Sequence, residues 1–225
     1  MKKLLLAVML AVMLLVPSFT LAAEATTDSN EVKKSMQVPY EEGSLSALSF
    51  VYANKAYIKL FSVLTVYDAQ SLWNDMVIIT EKYHITDIHI FISSPGGSAF
   101  AGLSLADQIL AMKKIGCHIT AHASGIIASA AVPVFAVCDH RIAGEDTFFM
   151  VHEASIWKLF AEEKVKDLEA QLAMMKLLEK SYINKLVKHS KLSFDEWKAM
   201  EGKTSYFTAE QAKEYGIVDE IDSEK

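Results

Sequence analysis

The sequence lacks, or contains few of, the residues and motifs that characterise several classes of protein. Its 225 residues include only four prolines and nine glycines, which excludes collagen-like and low-complexity chains. It contains no Walker A loop, no His-Glu-x-x-His pair and no Cys-x-x-Cys spacing, so the usual nucleotide and zinc motifs are missing. Acidic residues (28) outnumber lysine and arginine (22), and the net charge of −6 does not suit nucleic-acid binding. We therefore expect no metal, no cofactor and no nucleic-acid partner.

Only one hydrophobic run is long, and it lies at the amino terminus. Two lysines precede an apolar stretch at residues 4–15, and small residues follow it. This order predicts a cleaved signal peptide over residues 1–23 and an exported protein, periplasmic or extracellular. An uncleaved membrane anchor is the alternative, although the run is short for a spanning helix. Residues 24–43 are polar and without periodicity, which predicts a flexible leader before a folded domain at residues 44–225.

Hydrophobic periodicity indicates that strands and helices alternate through the rest of the chain. The predicted strands are residues 56–63, 85–93, 117–122, 148–152 and 217–221, and the predicted helices are 67–83, 101–112, 127–137, 165–187 and 209–215. Helices between successive strands favour a mostly parallel sheet covered by helices, so the predicted fold class is α/β. In such sheets, chemistry is usually carried by loops at the carboxyl ends of strands.

Three of those loops contain residues suited to binding or catalysis. Gly96 and Gly97 follow an isoleucine-rich strand and expose backbone N–H groups that can bind an oxyanion or a peptide; an ordinary turn is the alternative. Ser129 is placed at the start of a small-residue helix, either as a cap or as a nucleophile favoured by the helix dipole. Ser124 is the alternative candidate for the nucleophile. His152 ends an apolar strand and is either structural or the general base that a hydroxyl nucleophile needs.

Four ordered motifs resemble those of the Clp protease proteolytic subunit, in the wider ClpP/crotonase superfamily. They are Ser94-Pro95-Gly96-Gly97, Gly125-x-x-Ala128-Ser129-x-Ala131, Met150-Val151-His152 and the closing stretch at residues 207–219. The similarity extends from about Ala56 to Ile221, with Ala131 in place of the family's last glycine. The stretch between Ser129 and His152 is slightly shorter than in the family.

This resemblance implies a serine endopeptidase with a ClpP/crotonase-like fold, acting on peptides or unfolded proteins. The implied site consists of Ser129 as nucleophile, His152 as general base, the N–H groups of Gly97 and Ala130 as oxyanion hole, and Gly96 and Ser98 for substrate binding. The family also forms homo-oligomeric stacked rings joined by a protruding handle helix, here residues 165–187, and works with a separate ATP-driven unfoldase. An exported protein would meet little ATP, which favours cleavage of small or already unfolded peptides without that partner.

One position departs from the family pattern. The third catalytic residue of the family, an aspartate, aligns with Thr204, which has no charge to stabilise an imidazolium. Glu201, three residues earlier, is the candidate replacement. A catalytically silent scaffold or regulatory subunit is the alternative function that this departure supports.

Two related families remain as alternatives. Proteases of the signal-peptide peptidase A family use a serine–lysine pair in a context like that of Ser124, and His152 would then be surplus. The crotonase branch, which residues 139–146 also resemble, would bind acyl-CoA and hold an enolate in the same oxyanion hole.

The two cysteines also leave two interpretations open. Cys117 begins a predicted strand and Cys138 ends the predicted helix that follows it, so chain reversal would bring them to the same side. A disulfide, with Cα atoms about 4.4–6.8 Å apart, is one prediction for an exported protein. Two buried thiols that pack as small hydrophobic groups are the other.

Overall fold

A mixed β-sheet forms the centre of the fold. The computed structural model describes residues 45–155 and 164–223, so the predicted signal peptide and leader lie outside the described residues. Within those residues the strands are β1 (Ser49–Tyr52), β2 (Lys55–Leu60), β3 (Asp87–Ser94), β4 (His118–Ala128), β5 (His140–Gly144), β6 (Phe148–Val151), β7 (Ser205–Thr208) and β8 (Glu220–Asp222). The helices are α1 (Val66–Glu81), α2 (Ala99–Lys114), α3 (Ala131–Ala136), α4 (Val165–Lys188), α5 (Phe194–Glu201) and α6 (Ala209–Glu214).

The main run of the sheet is parallel and divides at β4. Strands β2, β3, β4, β5 and β8 are parallel neighbours in that order. β1 is an antiparallel edge strand joined to β2 by Ala53 and Asn54, whose φ angles of 49° and 61° suit a two-residue hairpin turn. Residues 120–123 of β4 pair with β5, whereas residues 126–128 pair with β6. β6 pairs in turn with β7, so a second branch of the sheet begins near the end of β4.

The core lies between this sheet and the helices beside it. Alternate residues of β3 are fully or almost fully buried, including Ile88, Ile90 and Ile92. They join one hydrophobic cluster with Leu72 of α1 and Ile109 of α2. Burial of each such side chain contributes about 1.5–3 kcal/mol to the stability of the fold. The cluster therefore holds the strands, and the loops that follow them, in fixed positions.

Helix α4 carries exposed apolar side chains along its first half. Val165, Leu168 and Leu172 are 72%, 51% and 55% exposed, whereas Ile183 and Leu186 in the second half are buried. The second half therefore anchors the helix to the domain, and the first half presents an apolar surface to the outside. Among the helices that the structure describes, none is both long enough and apolar enough to span a bilayer.

The predicted α/β class and mostly parallel sheet are confirmed, but the helix predicted at residues 127–137 is wrong in its first part. Ile127 and Ala128 belong to β4, and α3 covers only Ala131–Ala136. Ile127 pairs with Ser94 of β3 on one side and Phe149 of β6 on the other, so two ladders override the helical pattern. The hydrophobic pattern also did not predict β1, β5, β7 and α5.

Both cysteines are free and buried, so the predicted disulfide is absent. The Cys117 sulfur lies 3.7 Å from the Thr80 hydroxyl, and Cys138 donates to the carbonyl oxygen of Val134 at 3.4 Å. Burial raises the pKa of both thiols, to about 12 for Cys138. The two residues act as small buried hydrophobic groups.

Candidate active site

Ser129 occupies a tight turn between β4 and α3. Its φ angle is +52°, a left-handed conformation that is unusual for a residue with a side chain. Hydrogen bonds hold it there, since its N–H donates to the Met150 carbonyl at 2.8 Å and its own carbonyl accepts from the N–H of Val132 at 3.0 Å. The neighbours on both sides are alanines, which leave the hydroxyl uncovered. The turn therefore presents a serine hydroxyl at the end of a buried strand.

His152 reaches this hydroxyl from the adjacent strand. It directly follows β6, which pairs in parallel with the end of β4 so that Ala128 lies opposite Met150. The His152 Nε2 atom lies 2.9 Å from the Ser129 Oγ atom. This distance is within the range for proton transfer between a nucleophile and a general base.

The Ser-Pro-Gly-Gly loop packs directly beneath the serine turn. Gly96 has a φ angle of +87°, and a Cβ atom at this position would lie 2.5 Å from the Ala128 carbonyl oxygen and 2.7 Å from the Ser129 Cβ atom. Only glycine allows this approach. Gly96 is buried beneath Ser129 and is not among the residues that line the cavity described below. The resemblance had implied a role for Gly96 in substrate binding.

The N–H of Gly97 is not used in the β-bridge that this loop forms with Leu64. Leu64 donates to the Gly96 carbonyl at 2.7 Å and accepts from the Ser98 N–H at 2.8 Å, so the N–H of Gly97 between them has no role in this bridge. Within the described residues, no backbone bond uses the N–H of Gly97 or of Ala130. Both residues line the same cavity as Ser129.

A cavity of about 450 Å³ lies beside Ser129 and His152. Ser98 lines it and also caps α2, where its side chain accepts from the N–H of Ala101 at 3.3 Å. Much of the wall is apolar, and this part consists of Phe100, Leu103, Met174, Met175 and Leu178. The cavity can therefore hold an apolar side chain next to the serine–histidine pair.

Glu201 contributes a buried carboxyl group to the same cavity. It is 3% exposed, and its Oε2 atom has no hydrogen-bond partner among the described residues. Burial raises the pKa of Glu201 to about 7, although the charge of Lys198 opposes the shift; the nearby Glu153 adds to it. No carboxylate in the described part of the chain forms a hydrogen bond with His152.

Thr204 is exposed and is not among the residues that line the cavity. The antiparallel register of β6 and β7 ends at Val151 opposite Ser205, so an extension of that register by one residue would place Thr204 opposite His152. Thr204 has a φ angle of +53°, which turns the chain at this point. Thr204 thus lies beyond the end of the ladder, directly before the strand next to the one that His152 follows, and its side chain offers no carboxylate.

Ser124 is exposed in a different hollow, of about 330 Å³, next to the bulged part of β4. Its charged lining residues are Glu145, Asp146 and Asp222, and no lysine lines it. A serine–lysine pair at Ser124 is therefore not supported. Across the described residues, no group of three or more His, Cys, Asp or Glu side chains is placed to hold a metal ion.

Tyr182 is a site residue that was not among the predicted site residues; it lies within the helix predicted at residues 165–187. Its hydroxyl donates to the carbonyl oxygen of Ser129 at 3.1 Å, and the residue also lines the cavity. The spacing of four residues from Leu178 and from Leu186 places Tyr182 on the apolar side of this helix. It gave no signal for the atom that the hydroxyl contacts.

Comparisons with known proteins cover the part of the chain that contains the candidate site. A family model described as Clp protease matches residues 43–225. The chain is 30% identical over 157 residues to an ATP-dependent Clp protease proteolytic subunit of Bacteroides fragilis, covering 69% of this chain and 73% of the relative. The corresponding protein of Bacteroides thetaiotaomicron is 31% identical over 157 residues, covering 69% of each chain. An ATP-dependent Clp protease proteolytic subunit 2 of Corynebacterium diphtheriae is 27% identical over 155 residues, covering 68% of this chain and 75% of the relative.

Proposed function

The chain belongs to the Clp protease family, and from this premise we propose that it is a serine endopeptidase acting through Ser129 and His152. The observation that carries the proposal is the 2.9 Å contact between the Ser129 Oγ and His152 Nε2 atoms beside a cavity. Gly97 and Ala130 border that cavity, and their N–H groups make no backbone hydrogen bond within the described residues. Nucleophile, base and oxyanion donors are the parts that acyl transfer needs.

The proposed reaction begins with attack by Ser129 on a peptide carbonyl carbon. His152 takes the hydroxyl proton, and the carbonyl oxygen becomes an anion that accepts hydrogen bonds from the N–H groups of Gly97 and Ala130. The C–N bond then breaks, and His152 gives its proton to the departing amine. Water, deprotonated by His152, hydrolyses the ester on Ser129 and releases the acid product.

Glu201 is the group we propose in the role of the missing aspartate. A third residue in such a site fixes the orientation of the histidine and stabilises its charged form. Glu201 borders the same cavity as His152 and its Oε2 atom lacks a partner in the described part of the chain. Thr204 has no carboxyl group to offer.

The substrate class that fits this site is a peptide or an unfolded protein segment. The apolar wall of the cavity suits a large apolar side chain next to the cleaved bond. We further propose an assembly of identical subunits in rings, supported by the exposed apolar surface on the first half of α4. The signal-like segment at residues 1–23 supports export to the periplasm or beyond, where the protein would act without an ATP-driven unfoldase.

Active-site labelling tests this function. The purified protein is treated with a fluorophosphonate probe, and the labelled residue is located by mass spectrometry. We expect label on Ser129, none in Ser129→Ala, and strongly reduced labelling in His152→Ala. Ser124→Ala is the matched control and should label like the wild type, because Ser124 lies in a separate hollow.

Other outcomes would favour other functions. An assembled, folded protein without any label would indicate a catalytically silent subunit. Label on Ser124 would move the protein towards the serine–lysine proteases.

A further inference from the structure

Tyr182 connects helix α4 to the backbone of the nucleophile. Its hydroxyl donates to the Ser129 carbonyl oxygen at 3.1 Å. Burial, and to a smaller extent the charge of Glu201, raises the pKa of Tyr182, so the hydroxyl keeps its proton and remains a donor. The N–H of Val132 is a second donor to the same oxygen, at 3.0 Å. Two hydrogen bonds thus fix the direction of this carbonyl.

The direction of the Ser129 carbonyl also sets the direction of the Ala130 N–H. The two groups belong to one peptide unit, which is planar and trans, so the N–H points opposite to the C=O. Donation to the oxygen of a peptide also makes the N–H of that peptide a better donor. A side chain that holds the carbonyl therefore acts on the N–H at the other end of the same plane.

This restraint opposes the relaxation of a strained backbone conformation in the turn. The φ angle of Ser129 is +52°, a strained conformation that residues with a side chain rarely adopt. Relaxation of that angle would rotate the peptide plane that follows it. The hydrogen bond from Tyr182 is lost in such a rotation, so it favours the strained turn.

We propose that Tyr182 is a positioning residue of the oxyanion hole, which holds the Ala130 N–H towards the substrate through the Ser129 carbonyl. The inference rests on the proposed function, because the tetrahedral state that it stabilises forms on Ser129. Since Tyr182 projects from α4, the helix with the exposed apolar surface, it also connects that surface to the nucleophile turn.

Tyr182→Phe tests the proposal, because it removes the hydroxyl and keeps the ring. With a fluorogenic peptide that has an apolar residue before the cleaved bond, kcat should fall about three- to tenfold while KM stays within about twofold. Affinity for a peptide boronate, which forms a tetrahedral adduct on serine, should fall by a similar factor. The thermal midpoint of each variant is measured to establish that it is folded.

Tyr215→Phe is the matched control. Tyr215 packs against Trp197 and Phe207, and its hydroxyl makes no hydrogen bond within the described residues. Its kcat and boronate affinity should equal those of the wild type.

Two results for Tyr182→Phe would overturn the inference. Unchanged kcat and boronate affinity in a folded variant would show that the hydroxyl does not position the donor. A rise in KM at unchanged kcat would assign Tyr182 to substrate binding as part of the cavity wall. Failure of the proposed function is seen separately, as activity that survives in Ser129→Ala.

Discussion

Glu201 is a carboxyl group held where a neutral group would be more stable. It is 3% exposed, its Oε2 atom lacks a partner within the described residues, and burial raises its pKa from 4.5 to about 7. Glutamine keeps the shape of this side chain and cannot ionise. We therefore predict that Glu201→Gln stabilises the protein at pH 8 and has much less effect at pH 4.

The size and sign of this effect follow from proton linkage. The folded protein binds the Glu201 proton more tightly than the unfolded chain does, so raising the pH from 4.5 to about 7 favours unfolding. The wild type therefore becomes progressively less stable relative to the variant across this window. One pKa unit corresponds to about 1.4 kcal/mol, so the rise in the pKa from 4.5 to about 7 limits the difference in the free energy of unfolding to about 3.5 kcal/mol well above pH 7.

Urea unfolding, followed by tryptophan fluorescence at one protein concentration from pH 4 to 9, measures this difference. The same substitution at the exposed Glu214 is the matched control and should leave the free energy of unfolding nearly unchanged at every pH. A difference between wild type and Glu201→Gln that does not vary with pH would refute the reasoning.

The same variant also tests the catalytic role of Glu201. If its carboxylate serves His152, the gain in stability is accompanied by slower fluorophosphonate labelling. Increased stability at an unchanged labelling rate would exclude Glu201 as the third member of the site.

Three further predictions concern the loop, the missing aspartate and the thiols. Gly96→Ala should abolish labelling and cost about 1–3 kcal/mol, because its Cβ would lie 2.5 Å from the Ala128 carbonyl oxygen. Gly116→Ala, with no atom within 4 Å, should keep labelling, and equal effects of the two changes would contradict the packing argument. Thr204→Asp should increase the labelling rate, because an extension of the β6–β7 register by one residue would place position 204 opposite His152. An unchanged rate would mean that the carboxylate does not reach the imidazole ring. Both buried cysteines should resist a thiol reagent in the native protein and react as two thiols in denaturant, whereas fewer than two would reveal a disulfide.

The proximity of Ser129 and His152 could be anticipated from local signals in the sequence. Each follows an apolar strand, and the carboxyl ends of neighbouring parallel strands meet at one edge of a sheet. The strand before Ser129 was nevertheless predicted to end too early. Small apolar residues such as Ala128 carry no clear strand preference, and the two neighbouring ladders that decide their conformation are distant in sequence.

The supporting residues of the site could not be predicted in the same way. Helical spacing gave the buried side of α4, but the contact between Tyr182 and the Ser129 carbonyl depends on how α4 packs against the turn. Glu201 was found only by its offset from the family's aspartate, and its burial depends on α5. That helix has a signal in the sequence, because Ser193 and Glu196 form a capping box at its start.

The pairing of β4 with β6 has a consequence for how freely the chain can vary. Ser129 and His152 each come directly after a strand, so the distance between them is set by hydrogen bonds between the strands and not by the polypeptide that connects them. That connection runs through α3 and β5 and includes the exposed residues Glu145 and Asp146. Insertions or deletions there can accumulate in evolution, or be introduced by an engineer, while the distance between the Ser129 Oγ and His152 Nε2 atoms stays the same.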